Sequence, residues 1–424
     1  MTKTVMTKRQ RAVEAVKTFV IIGLIISAVL LTRETELFTS QLSVSYEMPE
    51  VQSKVSIQDA LPFVLAVTHS QGSRYAVKYG EVRTVYERFS SLLGEALGSA
   101  GNTAVISEAQ WKNILSEDGV YFDFLYNQPL ESVADWLGIE SSQNGNLSGI
   151  KSRRICLVNE TEGISLYFID SRDGKPYWAK TMASSESMQR LDEYVSNDAK
   201  FVFEQGDMYG GIDPYAIIFD QPPKISLVSA ANPIDNAYDK TRIFEAFGIN
   251  STIAMPYTGT DGSELFREGD HELRFYVGGE VKYSLSSVPK PDAAITAVDA
   301  VRLASSILDE TLSKEAGAAE LYLSATEYDE ETNTHSISFT YVIGGIPAEL
   351  AGRGVAAKIL ISGDTVTEAV LNFRRYSTAG EVTVLPESLM AHKALASGSS
   401  GAPLLSYYDL GDTVEAHWKR AEAA

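Results

Sequence analysis

The chain has 424 residues, with 36 lysines and arginines against 56 aspartates and glutamates, a formal net charge of −20 and 44% hydrophobic residues. A charge of that sign repels nucleic-acid phosphates, and no zinc-finger or helix-turn-helix spacing offsets it, so the expected partners include no nucleic acid. The single cysteine, Cys156, excludes an intramolecular disulfide, and the apolar content excludes a disordered tether.

Lys3, Lys8, Arg9, Arg11 and Lys17 precede an uncharged run from Thr18 to Thr32, which is closed by Arg33, Glu34 and Glu36. The positive-inside rule keeps such an N-terminus in the cytoplasm. Ala12 to Leu31 is long enough to span a bilayer if Lys17 snorkels to the headgroups. A cleaved signal peptide has the same charged start and a core of this length, but Leu30, Leu31 and a charged cluster stand where a small-residue cleavage site belongs. An uncleaved single-pass anchor is therefore expected, with the C-terminal bulk outside the cell membrane. Gly23 and Ser27 form a small-xxx-small pair, with Ala15 and Phe19 on the same helical face. Such a face lets helices approach closely in lipid, against the alternative of a passive anchor.

Beyond the anchor, 31 basic and 55 acidic residues remain, a net of −24 outside residues 1–17. After the apolar stretch Ile57–Val67, the residues Val82, Val85, Phe89, Leu92, Leu93, Ala96 and Leu97 recur at three and four, predicting an amphipathic helix ended by Gly98 and Gly101. A short helix near Trp111–Leu115 and an apolar run Val120–Tyr126 follow. Strands are predicted at Ile155–Val158, Ile164–Ile169 and Tyr177–Ala179, with turns at Glu162-Gly163 and Asp173-Gly174. These elements make residues 45–200 an N-terminal α+β ectodomain. Residues 201–290 are expected to be a middle β-rich domain, with a hairpin of Leu273–Val277 and Val281–Leu285 about Gly278-Gly279. Residues 291–424 begin with an amphipathic helix over Ile295–Leu312 and continue as a four-stranded antiparallel meander. A helix near Leu389–Leu395 and a strand Leu404–Leu410 close the chain. The fold class is thus α+β: a cytoplasmic tail (1–17), a transmembrane helix (18–32) and a multidomain ectodomain of antiparallel sheets with packed helices.

Catalytic chemistry finds little footing. His69, His271, His335, His392 and His417 stand singly, without metal-ligand spacing. S-x-x-K occurs at Ser148/Lys151 and Ser287/Lys290, but in polar or proline-rich loops and without the S-D-N or K-T-G of penicillin-binding enzymes. The glycine-rich "IGGIPAELAGRG" lacks the lysine and hydroxyl of a phosphate loop and reads as a turn. Asp170 with Asp173, and Asp329-Glu330-Glu331, lack the ligand alternation of a calcium loop and read as solvated turns. Cys156, within "RRICLVNE", reads as a buried strand residue. No catalytic, cofactor-binding or metal residue is assigned, no cofactor is expected, and the chain is read as a non-enzyme.

The order of these parts resembles the YycH family, and the C-terminal part is also similar to YycI. The residues that carry it are the span "VKTFVIIGLIISAVLLT", the segment Phe247–Tyr283, "AVLNFRRYS" around Phe373–Tyr376, and the closing "LLSYYDLGDTVEAHWK" with Trp418. The chain departs from the family in having no tryptophan just outside the membrane, where it reads "TRETELF". The resemblance implies an accessory regulator of the Wal (YycG) sensor histidine kinase in low-GC Gram-positive bacteria, acting in cell-wall homeostasis. It implies contact with the kinase through the transmembrane helix and the ectodomain, and pairing with a YycI-like accessory protein. Readings of other classes are an extracytoplasmic wall-glycan enzyme or ligand-binding module, and a protease inhibitor of the PepSY type, which the C-terminal meander also resembles.

Overall fold

A computed structural model describes residues 56–420, apart from 71, 140–144, 235–237, 251, 253, 288–294 and 398–400. The expected span at 18–32 and its face of Ala15, Phe19, Gly23 and Ser27 lie outside the described residues. Among the described residues no helix is long and apolar enough to cross a bilayer.

The N-terminal half is built on strands β1 (Val64–His69), β2 (Ser73–Lys78), β3 (Ala104–Val105), β4 (Gly119–Pro129), β5 (Lys151–Glu160), β6 (Gly163–Ile169) and β7 (Pro176–Lys180). They form one sheet in the order β2-β1-β4-β5-β6-β7-β3. Both of its faces are covered, which explains why β4 and β5 read as continuous apolar runs rather than as alternation. On one face lies helix α1 (Val82–Gly98), whose Tyr86 meets Phe122 of β4 edge-on at 6.1 Å. On the other, Tyr121, Cys156, Val158 and Tyr167 pack with Phe201, Ile217 and Trp111, the last from helix α2 (Glu108–Ile114). Ser107 caps α2, accepting from the Gln110 backbone N–H at 3.2 Å while the Gln110 side chain accepts from the Ser107 N–H at 2.8 Å. Helix α3 (Leu130–Trp136) follows β4 directly. Its trailing Ile139 approaches α1 so closely that a β-carbon on Gly98 would stand 2.7 Å from Ile139 Cγ2. The outer edge of β2 is lined by a loop instead of a strand, with the Asn197 side chain accepting from Ala76 N at 3.0 Å and donating to Ala76 O at 2.8 Å.

The second half contributes β8 (Lys224–Ala231), helix α4 (Thr241–Ala246), β9 (Met255–Thr258), β10 (Glu264–Glu268), β11 (His271–Phe275) and β12 (Glu280–Leu285). Helices α5 (Ala297–Glu310) and α6 (Leu312–Glu315) follow, then β13 (Glu320–Asp329), β14 (Thr334–Ile343), β15 (Ile346–Leu350), β16 (Ala357–Ser362), β17 (Thr365–Asn372) and β18 (Arg375–Thr383). Helix α7 (Glu387–Ala396), β19 (Pro403–Asp409) and β20 (Val414–Arg420) complete it. Eleven strands form one sheet, β20-β19-β15-β14-β16-β17-β12-β11-β10-β9, with β13 also on β14. The expected helix and meander are present as α5 followed by β13, β14, β16 and β17. Thr296 caps α5 through the Asp299 N–H at 3.1 Å, and Val298, Val301, Ala304, Ile307 and Leu308 form its buried face.

The boundary expected at 290 does not separate sheets. Strand β12 pairs with β17, from Glu280↔Asn372 to Ser284↔Glu368, so the predicted hairpin extends the C-terminal sheet instead of standing as a middle domain. The physical reason is that a two-stranded hairpin is marginal alone, and the open edge of β12 gains a ladder of backbone hydrogen bonds from β17. Nor does 200 divide the chain, since Phe201 and Ile217 lie in the core of the N-terminal sheet. Residues Val51–Ala424 fall into one compact unit.

Candidate functional site

The residues that carry chemistry in sequence are scattered in space. Cys156 is buried in β5, and desolvation pushes its thiol up to about 12, only partly opposed by Arg74. His69 Nε2 meets Tyr194 O at 2.8 Å, His271 Nδ1 meets Tyr283 Oη at 2.9 Å, and His335 Nε2 meets Ile295 O at 3.1 Å. Among the described residues no three His, Cys, Asp or Glu side chains are grouped to hold a metal ion. Lys151 Nζ donates to the Thr326 carbonyl and not to Ser148, while Lys290 lies outside the described residues. Asp170 is occupied by the Arg172 guanidinium at 2.6 Å, and Asp329 accepts from the Glu331 N–H at 2.9 Å within its own turn. These carboxylates shape turns.

Two of the segments that carry the family resemblance meet in the buried core. Arg374, from "FRRY", donates through Nε and Nη2 to the two carboxylate oxygens of Asp409, from "SYYDLGD", at 2.7 and 2.8 Å. Asp409 also accepts from the Tyr376 hydroxyl at 2.9 Å and the Gly411 N–H at 2.8 Å. Burial and then the Asp409 charge hold the Tyr376 phenol well above its ordinary value. With four donors on one carboxylate and both charges buried, the cluster is a structural clasp fastening the β19–β20 hairpin to the end of β17. A third segment closes on itself, with Phe247 stacked on Tyr283 at 4.4 Å and 15°.

A second set of contacts crosses from the N-terminal sheet to the C-terminal one. Lys78 Nζ donates to both carboxylate oxygens of Glu387 at 2.7 Å and to Ile217 O at 2.8 Å, joining β2 to α7. Arg302 of α5 clamps Asp135 of α3 at 3.0 and 2.5 Å. Gln128 Nε2 donates to Leu323 O at 2.9 Å. Arg83 of α1 donates to Glu320 of β13 at 2.6 Å, and Gln58 donates to the other oxygen of the same carboxylate.

Between these ties the two halves leave a cavity of about 270 Å³. Leu61, Phe63, Leu125, Leu321 and Val342 make it apolar, whereas Arg83, Glu320 and Gln58 supply charge and hydrogen bonds. Tyr79, at the junction of β2 with α1, is held at φ 59°, a left-handed conformation that an aromatic residue rarely adopts. Gly345, at φ 77° in the turn after β14, is pressed against it, since a β-carbon there would stand 2.6 Å from the Tyr79 backbone. The Tyr79 ring is edge-on to Phe63 at 5.7 Å, and burial followed by the Glu387 charge keeps its phenol well above the ordinary range. The cavity wall on that side is thus made by closely packed backbone, Tyr79 against Gly345. It is lined by residues from 58–83, 125, 318–322 and 342–345, and that spread is why no sequence pattern announces it.

No family model matches the chain, and no curated protein matches it. Its fold is similar to that in the crystal structure of YycH from Bacillus subtilis, with a TM-score of 0.55 over 84% of this chain and 92% of that one, at 12% identity. At that identity the likeness is one of fold.

Proposed function

We propose, starting from a fold similar to that of YycH, that this chain is a membrane-anchored extracytoplasmic regulator that binds a sensor histidine kinase and modulates it without catalysis of its own. The fold likeness across 84% of the chain is the observation that carries this reading. The short motifs quoted above support it from separate evidence, because they are features of sequence and two of them form the Arg374–Asp409 clasp. Residues 18–32 form a single span in this reading, with a cytoplasmic N-terminus and the remaining mass outside the cell membrane. The face of Ala15, Phe19, Gly23 and Ser27 packs against the kinase's transmembrane helices. The kinase is of the Wal type, a YycI-like accessory protein is the further partner, and the C-terminal part is itself YycI-like.

The basic tail followed by an uncharged run supports the anchor, and the small-xxx-small pair supports the packing face. The test is a pull-down of the full-length protein from detergent-solubilised membranes of its own cell, with partners identified by mass spectrometry. The comparators are a chain whose span is poly-leucine and the double variant Gly23→Leu/Ser27→Leu. A sensor kinase recovered with the wild type and lost with both comparators is expected. Recovery unchanged by either would remove the helix-packing mechanism, and absence of a kinase in all three would overturn the regulator reading.

A further inference from the structure

The cavity between the two sheets has chemistry that the regulator reading does not use. Its interior is apolar, and its charged side chains come as one cation and one anion, Arg83 and Glu320, in contact at 2.6 Å and each about half exposed. Among the described residues Arg83 uses a single N–H in that contact, and a guanidinium carries five. A ligand with one net charge matches only one member of this half-exposed pair and leaves the other to solvent. A molecule carrying both charges inserts between the two and gives each a partner. The volume bounds the size: drug-sized ligands occupy roughly 300–1,000 Å³, and about 270 Å³ admits something smaller. Tyr79 at φ 59° supplies an independent indication, because residues held in sparsely populated backbone regions gather at ligand sites, where the surroundings over-determine them.

We propose that this cavity binds a small apolar zwitterion, an amino acid or dipeptide of the leucine or phenylalanine type. Its carboxylate is received by Arg83, its ammonium by Glu320, and its side chain by Leu61, Phe63, Leu125 and Val342. Because the cavity is walled by both sheets, the occupant contacts both, and it replaces the direct Arg83–Glu320 contact with one bridged through the ligand.

The test is isothermal titration calorimetry on the full-length protein in detergent micelles, with L-leucine, L-phenylalanine and L-leucyl-L-leucine as probes. Leucinamide, which lacks the carboxylate, and N-acetyl-leucine, which lacks the ammonium, are the comparators. At least one zwitterion is expected to bind saturably at one per chain, and both comparators to bind roughly tenfold more weakly or worse. Glu320→Gln is expected to weaken the zwitterion by a similar factor and to erase its advantage over N-acetyl-leucine. Gly80→Leu plugs the site: a β-carbon on Gly80 has only Gly344 O near it, at 3.8 Å, and binding is expected to disappear. The proposal is overturned if no zwitterion binds, if the comparators bind as well as their zwitterion, or if binding survives in Gly80→Leu. The probe series on the unaltered protein decides the question even where a variant fails to fold.

Discussion

Replacing Asp409 by alanine removes the carboxylate that accepts from Arg374, Tyr376 and Gly411 together. Arg374 and Asp409 are 6% and 3% exposed, so the guanidinium left behind has little access to water. Breaking a buried pair by deleting one partner costs about 3–5 kcal/mol, and orphaning the Tyr376 hydroxyl or the Gly411 N–H adds about 1–3 kcal/mol where water cannot reach. A loss of about 4–8 kcal/mol is expected, a large share of the roughly 5–15 kcal/mol of a folded protein. With a urea slope of about 3 kcal/mol/M, the midpoint should fall by about 1.3 M or more. The assay is urea unfolding of the full chain in micelles, followed by fluorescence. Trp418 is a local reporter, since its Nε1 donates from β20 to Leu385 O, in the segment between β18 and α7, at 3.2 Å. The double variant Arg374→Met/Asp409→Leu, which removes both charges and keeps apolar volume, should recover most of the loss. A single-variant loss under about 1 kcal/mol, or a double variant as unstable as the single, would refute the account of Arg374 as dependent on its counter-charge.

Further outcomes follow from the same coordinates. Gly345→Ala places a β-carbon 2.6 Å from the Tyr79 backbone at a φ of 77°, and should cost about 2 kcal/mol or more in urea unfolding; Gly354→Ala, with nothing within 4 Å, should pay only the backbone part of that cost. Cys156, buried and with its thiol pushed up to about 12, should stay unlabelled by a disulfide reagent at pH 8 until urea unfolds the chain; rapid labelling of the folded protein would contradict its place in the core. His335 has its folded pKa lowered below 6.5, first by burial and only partly opposed by Ile295 O. The unfolded chain therefore binds that proton more readily, so stability is fully present above 6.5 and is lost as the pH falls from 6.5 to the lowered folded value. His335→Gln should flatten that part of the profile, and an unchanged slope would assign it to other groups.

Elements whose signal is local were legible before any coordinates. Helices α1 and α5 and the β11–β12 hairpin stand where their periodicity placed them, because a 3.6- or 2-residue period needs only one buried face to write it, and strands β5 to β7 stand where apolar runs bounded by turn residues placed them. Strand β2 was hidden, since "RYAVKY" runs into the helical pattern with Gly80 as the single punctuating residue, and the break falls one residue earlier at Tyr79, whose positive φ no propensity predicts. Strand β20 was hidden for a different reason: "VEAHWKR" lies at an edge and is too polar to register as a strand. The pairings β12 with β17 and β15 with β19 join segments roughly 60 to 90 residues apart, and long-range register is a tertiary property that no local window holds. The candidate cavity belongs to that class. Its charged pair, Arg83 and Glu320, is separated by 237 positions, and neither residue stands out among the chain's 36 basic and 56 acidic side chains.

The loop that lines β2 has a meaning for how the protein meets other chains. A bare strand edge is a template on which another polypeptide can crystallise into cross-chain sheet. Here the Asn197 amide occupies both backbone groups of Ala76, and Asp198 beside it sits at φ 56°, a geometry that cannot propagate a ladder. The opposite end of that sheet, β3, is two residues long. The larger sheet ends on one side in β9, where Pro256 has no N–H to offer, and on the other in β20, which carries Glu415, Lys419 and Arg420. These four edge strands of the two large sheets thus discourage strand addition, and the fifth edge, β13 of the larger sheet, is tied to the N-terminal half through Gln128 Nε2 and Leu323 O. Crowded copies are insulated from edge-to-edge aggregation, and a partner must recognise these sheets by their side chains instead of by backbone zippering.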